Sequence, residues 1–278
     1  MTKPVIILDP GHGGSSCCFY DLDNGVRLPY TWEDVGKLQP SQKHYLCEEE
    51  HARWKRGERH SEPRFYFERK GRRITHGDPG AWNPLDPRVL EKDLALDLAR
   101  TMVRLLSRHY VVKSTRDRDG YVATASRARY AGRMMDKHGR PALLVSLHAD
   151  ASDDPDARGF LVYRRPGDDP RLAETFHRAL DRHLDELGVA GGRREVVEEP
   201  RELLQRAPMQ AVLLQLGFLS NPKDAERLLD RHLRNELAQV LGGAVRLYLR
   251  RETGAGAEAG ETVSARKAGG ELYADVQA

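Results

Sequence analysis

The sequence predicts an α/β fold of three layers, a mostly parallel or mixed sheet flanked by helices, with an inserted loop-rich subdomain. Three observations carry this. Apolar strands alternate along the chain with amphipathic helices, as when helices cover both faces of a sheet. The strand segments, such as VIIL and ALLV, are continuous apolar runs, which suits strands buried on both faces. Residues 15–77 break the alternation, being rich in charge, aromatic side chains and histidine with little sustained periodicity.

The elements follow in order. PVIIL, from Pro4 to Leu8, reads as an interior strand, stopped by Asp9-Pro10-Gly11. Within the irregular stretch, YLCEEEHARWKRG reads as a short helix and RFYFERKGRRITH as a hairpin turning near Gly71. Order returns after DPGAWNPLDPRV. Asp93 to His109 is helical, with Leu94, Leu98, Met102, Leu105 and Leu106 on one stripe. YVVKSTR is a short strand ending near Thr115 and Arg116, and Ala123 to His138 is a second helix. PALLVSLHAD repeats the opening pattern of an apolar strand with a histidine at its end, and GFLVYRR is another strand. Pro170 to Leu187 is a helix with Leu172, Phe176, Leu180, Leu184 and Leu187 inward, stopped by Gly188. QAVLLQLGFLSNP is a strand and turn. Asn221 caps a last helix that Pro222 opens, with Leu229, Leu233, Leu237, Val240 and Leu241 on its buried face. From about Glu252 the composition shifts to Gly, Ala, Glu and Thr, that of a disordered tail. The expected organisation is one domain over 1–250, the insertion 15–77 within it, and a tail over 251–278.

Composition bounds the function. The 45 basic and 42 acidic residues leave a formal charge of +3 and alternate in sign, which argues against nucleic acid as a partner. Locally basic segments such as RWKRGERH read as solvated faces. The three cysteines, Cys17, Cys18 and Cys47, are odd in number and two are adjacent, so a reducing compartment is expected over a disulfide framework. No signal peptide precedes VIILDP and no apolar run reaches the length of a membrane span.

The chemistry is sought beyond the carboxyl ends of the strands, where α/β sheets bind ligands. His12 and His148 each follow an apolar strand, and parallel strands would bring both to one edge. Glu91 precedes the first long helix and can face the same edge. Two imidazoles and a carboxylate make a catalytic zinc set that leaves a fourth position for water. The alternative for each histidine is a hydrogen-bonded loop residue.

The chain resembles the zinc-dependent N-acetylmuramoyl-L-alanine amidases, the type-3 amidases, in five ordered segments: VIILDPGHGG, GDPGAWNPLDPRVLEKDLALDLA, VVKSTRDRDGYVATASRARYA, ALLVSLHADA and AVLLQLGFLSNPKD. With their connections these cover most of Pro4 to about Leu249. The resemblance implies that His12, Glu91 and His148 bind Zn2+. It implies cleavage of the amide joining the lactyl group of N-acetylmuramic acid to L-alanine, in peptidoglycan or muropeptides, and a mixed sheet flanked by helices. Arg116 and Arg127 fall in matching stretches, where they either order the site or meet an acidic stem peptide; a structural salt bridge is the alternative for both.

Two departures stand out. The family passes almost directly from GHGG to a DPGA-like stretch, whereas here residues 15–77 intervene and begin beside His12. This insertion is expected to line or cover the groove, and either to recognise a glycan or peptide, to gate access as a plug, or to contact the wall or a protein partner. Cys17, Cys18, Cys47, His44, His51 and His60 within it follow no ordinary zinc-site spacing, and surface histidines with unpaired thiols are the simpler reading. Trp54, Tyr66 and Trp82 either stack on sugars or belong to partial cores. Second, Gln215 stands at the family's catalytic glutamate position. An amide cannot exchange protons near neutral pH, so zinc binding with impaired hydrolysis is expected. Glu195, Glu198 and Glu199 are candidate substitutes, with a charged loop as their plain reading. The alternative function is a non-catalytic peptidoglycan-binding or regulatory module. Action in the periplasm or cell wall is implied, reached by phage release, injection or processing.

Overall fold

The first apolar run forms strand β1 (Val5–Pro10), buried along its whole length. A computed structural model describes residues 3–252 apart from 16–17, 24–25, 47, 58–63, 140–141, 153 and 155. Beyond β1 the main sheet contains β2 (Val111–Ser114), β3 (Ala142–Asp150), β4 (Gly159–Arg164), β5 (Arg193–Glu198) and β6 (Gln210–Phe218). Its order is β5-β4-β6-β3-β1-β2. β1 pairs in parallel with β2 and β3, and β3 with β6, while β4 runs antiparallel to β6. The sheet is therefore mixed, with a parallel centre.

Side-chain alternation divides the core into two layers. Ile6, Leu8, Val145, Leu147 and Leu214 face helices α1 (Glu91–Leu106), α3 (Arg171–Glu186) and α6 (Arg231–Glu252). Val5, Ile7, Leu144 and Leu161 face α2 (Thr124–His138) and the short α4 (Glu202–Arg206). Both faces are covered, which is why the central strands read as unbroken apolar runs.

Three elements differ from expectation. The last helix is two: α5 (Pro222–Leu229), capped by Asn221 as predicted, and α6. Asp230 ends α5 in an extended conformation and accepts from Leu233 N at 2.9 Å, starting the next helix. Leu229, expected inward, is 39% exposed at that break. The REVVEEP stretch, read as a charged loop, contributes the edge strand β5. Its charges suit an exposed edge, where they oppose pairing with other chains.

The insertion is more ordered than its composition suggests. Five short strands, in the order Arg27–Leu28, Phe19–Asp21, Arg72–His76, Phe65–Arg69 and His44–Tyr45, form a separate sheet. Phe19, Leu28, Val35, Phe65, Phe67 and Ile74 fill a small core of its own. The hairpin at Gly71 is present: Arg69 pairs with Arg72, and Lys70 and Gly71 both take positive φ, as a two-residue turn between strands requires. The short helix is Glu48–Lys55. The proposed tail beyond Glu252 lies outside the described residues.

Candidate metal centre

β1 and β3 end side by side, with Pro10 opposite Leu147. The next residues of each strand end therefore share one edge. His12 leaves β1 in a left-handed conformation, φ 56°, uncommon for a residue with a Cβ. His148 sits near the end of β3. Glu91 opens α1, where the positive end of the helix dipole favours a carboxylate. Its two oxygens are held by main-chain donors: Ala81 N at 2.8 Å and Ala149 N at 3.1 Å.

The three side chains converge. His12 Nε2 lies 3.1 Å and His148 Nδ1 2.9 Å from the same oxygen, Glu91 Oε1. One donor atom from each residue falls within 4.8 Å of the others, and this is the one such cluster among the described residues. Glu91 is buried, with both imidazoles partly open to one side. Glycine makes the room. A Cβ at Gly80 would stand 2.5 Å from Glu91 Oε2, and one at Gly11 2.3 Å from the His148 ring. Two imidazole nitrogens and a carboxylate, with an approach left open, fit a divalent metal ion.

The outward nitrogens of both imidazoles have polar neighbours, His12 Nδ1 in a close charge contact whose angle falls short of a hydrogen bond. His12 Nδ1 lies 2.8 Å from Asp78 Oδ1. His148 Nε2 meets Ser146 Oγ at 3.1 Å, and that hydroxyl donates to Asp9 Oδ2 at 2.7 Å. Asp9 is in turn paired with Arg127 Nη1 at 2.8 Å. Such outer partners orient metal-binding imidazoles and select the nitrogen left for the metal.

Charge in the cluster follows from this geometry. Burial opposes a proton on His12, but Glu91 and Asp78 push its pKa up to about 10. Burial likewise opposes charge on Glu91, yet His12 and His148 bring it down to about 2. A cation bound among these groups would compete with protons, so affinity for it would depend on pH. Asp150, two residues beyond His148, has its carboxyl raised by burial, with the charge of Glu91 adding to the effect.

The other predicted residues take clear places. Arg116 and Arg127 are buried and bind the chain around His12. Arg116 donates to Pro10 O, Gly11 O and Lys92 O, and Arg127 to Pro10 O and His12 O. Gln215 lies beside His148 in the β3–β6 register, and its Oε1 is buried without a hydrogen-bond partner among the described residues. The expectation that Gln215 impairs the site is corrected here: the His12–Glu91–His148 set is complete and converges, and Gln215 displaces none of its members. Glu195, Glu198 and Glu199 instead pair with Arg193, Arg164 and Arg201.

In the insertion, His44 stacks on Tyr66 and His51 on Tyr45, and Trp54 packs near Tyr45. Cys18 is buried, whereas Cys17, Cys47 and His60 lie outside the described residues. Trp82 is 51% exposed on a two-stranded hairpin, one residue beyond Ala81. A cavity of about 190 Å³ adjoins the cluster, lined by Arg64, Asp78, Tyr121, His148, Arg201 and Glu202 among others. Sequence reading missed Asp9, Asp78 and Ser146; the available signal was the triplet Asp-Pro-Gly, which occurs at both Asp9 and Asp78.

Comparison with known proteins agrees with this arrangement. The probable cell wall amidase LytH of Staphylococcus epidermidis is 29% identical over 186 residues, 64% of this chain and 59% of that protein. Its namesake in Staphylococcus aureus is 32% identical over 176 residues, 62% of this chain and 55% of that protein. The chain thus spans less than two thirds of the length of these relatives. The solved N-acetylmuramoyl-L-alanine amidase of Clostridium difficile 630 superposes with a TM-score of 0.60 at 21% identity, covering 90% of this chain and 98% of that one. The catalytic domain of CwlV from Bacillus (Paenibacillus) polymyxa gives 0.59 at 18% identity, covering 88% and 98%. These two show a shared fold. The sequence profile described as N-acetylmuramoyl-L-alanine amidase matches residues 6–246, and the chain belongs to that family.

Proposed function

We propose that the chain is a zinc-dependent amidase cleaving the bond between the lactyl group of N-acetylmuramic acid and L-alanine in peptidoglycan or a muropeptide. The observation that carries this reading is the convergence of His12, Glu91 and His148 on one point at the carboxyl edge of the sheet. Zinc held there would supply a Lewis acid for the carbonyl and an acidified water. His12 would hold the ion through Nε2 and His148 through Nδ1, the nitrogens that face Glu91. Asp78 and the Ser146–Asp9 pair hold the rings in those orientations. Gln215 stands beside His148 with a buried amide oxygen that has no partner among the described residues, and would act as an acceptor and not as a proton carrier. The adjoining cavity, with Arg201 on its wall, suits the carboxylates of a stem peptide. Action then falls in the periplasm or cell wall, and the insertion, which leaves Trp32 and Leu46 exposed, supplies contact with the wall.

The test is digestion of purified peptidoglycan, with products identified by mass spectrometry. Stem peptides with a free L-alanine terminus should appear with zinc, and fall to background with a chelator or in His148→Ala. Cleavage at another bond, or full activity after metal removal, would overturn the reading. Binding to the wall without release of peptides would favour a non-catalytic module.

A further inference from the structure

The insertion is rooted at the metal centre. Gly13 and Asp78 flank it in sequence and pair across its base, with Gly13 N donating to Asp78 O at 2.7 Å and Asp78 N to Gly13 O at 3.0 Å. His12, immediately before this bridge, is a proposed ligand. Asp78, immediately after the insertion, is the carboxylate against its outer nitrogen. A link between insertion and ligand therefore needs only one side chain reaching back from the inserted sheet.

Arg64 is that side chain. Its Nη1 donates to Asp78 Oδ2 at 2.9 Å, while Asp78 Oδ1 faces His12 Nδ1 at 2.8 Å. One carboxylate thus bridges a guanidinium of the insertion and an imidazole of the metal cluster. The other end of the fork is fixed too: Arg64 Nη2 donates to Tyr121 Oη at 2.9 Å, with the guanidinium 5.1 Å from that ring. The main chain of Arg64 is set by the inserted sheet. Leu46 N donates to Arg64 O at 2.9 Å, and the next residue, Phe65, is 1% exposed in the insertion's own core. Folding of the insertion therefore decides where this guanidinium stands.

We infer that Arg64 is a positioning residue for the metal centre. Acting through Asp78, it lets the inserted sheet hold His12 in its metal-binding orientation. The inference rests on the metal reading proposed above and adds to it a residue that the main domain does not supply. The physical need is plain. His12 has a left-handed backbone between glycines, and its ring is held at Nε2 by Glu91 and edge-on by His148, which leaves Asp78 as the group that faces Nδ1. Without Arg64, Asp78 would keep only contacts at its near oxygen, Gly80 N at 3.2 Å and His12 Nδ1 at 2.8 Å, and its far oxygen would lose the charged donor. The charged fork pins the far oxygen and so fixes the near one. Loss of an outer partner of a metal-binding histidine commonly costs ~10–100-fold in affinity or activity.

The experiment is zinc titration of the full chain against a chromophoric chelator, with cobalt absorption as a second readout of ligand geometry. The unaltered chain is compared with Arg64→Ala, Arg64→Lys and Arg73→Ala. Arg73 pairs with Asp23 on the insertion's surface, away from Asp78, and controls for general weakening of the inserted sheet. Arg64→Ala should bind zinc roughly 10-fold more weakly with an altered cobalt spectrum. Arg64→Lys, which keeps one charged donor, should recover part of the loss, and Arg73→Ala should match the unaltered chain. Should Arg64→Ala fail to fold, Arg64→Lys against Arg73→Ala decides, since only the former touches Asp78. Equal affinity and equal spectra in all folded variants overturn the inference alone, as does equal weakening by Arg73→Ala. Absence of zinc binding by the unaltered chain overturns the metal reading and this inference with it.

Discussion

Asp9 shows how one buried residue serves both fold and site. Its carboxylate receives Ser146 Oγ, Thr115 Oγ1 and Arg127 Nη1, and is 1% exposed. Burial alone would raise its pKa, but Arg127 and the two hydroxyls bring it from 3.8 down to about 2. The sign of the linkage follows. A depressed carboxylate stabilises the fold fully above its unfolded pKa and loses that contribution as pH falls through the folded value. The window is thus about pH 4 to 2, and the contribution is roughly 2 kcal/mol by the usual conversion of pKa shifts. Asp9→Asn should lower stability at pH 7 by about 3 kcal/mol, because it leaves Arg127 buried without its charge partner. Urea denaturation at pH 7 and pH 3 checks both statements. The gap between the unaltered chain and the variant should shrink at the lower pH. A gap equal at the two values would mean that Asp9 is not held ionised by its surroundings.

Elements differ in how far the sequence disclosed them, and the reason is physical in each case. The strands of the parallel centre are buried on both faces, so VIIL and ALLV announce themselves whatever surrounds them. Helices α1 and α3 are buried on one side only, and the period of a single apolar stripe made each legible. The edge strand β5 was not, because an edge needs no apolar run, and Arg193, Glu195 and Glu198 there read as loop. The inserted sheet was half legible: its hairpin carries a Lys-Gly turn, but its two-residue strands show no period at all. The two histidines proposed as metal donors stood out as polar residues after apolar runs, and Glu91 as the residue opening a helix. Their outer partners did not, since Asp9 meets Ser146 across 137 residues of chain and Asp78 meets His12 across 66. The hairpin Trp82–Leu90 and the turn before it give the test at this scale. Gly80 has φ 72° and its missing Cβ leaves space for Glu91 and His12. Gly80→Ala should weaken zinc binding by about tenfold or more, as expected when a ligand's surroundings shift. Calorimetric titration with zinc measures it, and circular dichroism should show the sheet unchanged. Wild-type affinity in that variant would mean the cradle yields without disturbing its carboxylate.

At the scale of the whole molecule, the proposed ligands tie together segments that are far apart in the chain. His12 follows the first strand, Glu91 opens the first long helix beyond the insertion, and His148 closes the strand at the centre of the sheet. Unfolding must separate all three, so an ion that binds the folded arrangement stabilises it by mass action. At free zinc 100-fold above Kd the gain is about 2.7 kcal/mol. For a chain of this size each kcal/mol moves the midpoint by roughly 2–4 °C, so the rise should be about 5–10 °C. Differential scanning calorimetry with zinc and with excess chelator gives the measurement. His148→Ala should melt at one temperature under both conditions, since two donors remain and the set is open. Arg64→Ala should keep part of the zinc-dependent rise, because it weakens the hold on His12 without removing a donor. The ordering of these three proteins is the informative result. A rise of the same size in His148→Ala would place the stabilising ion elsewhere, and the three converging side chains would then need another explanation.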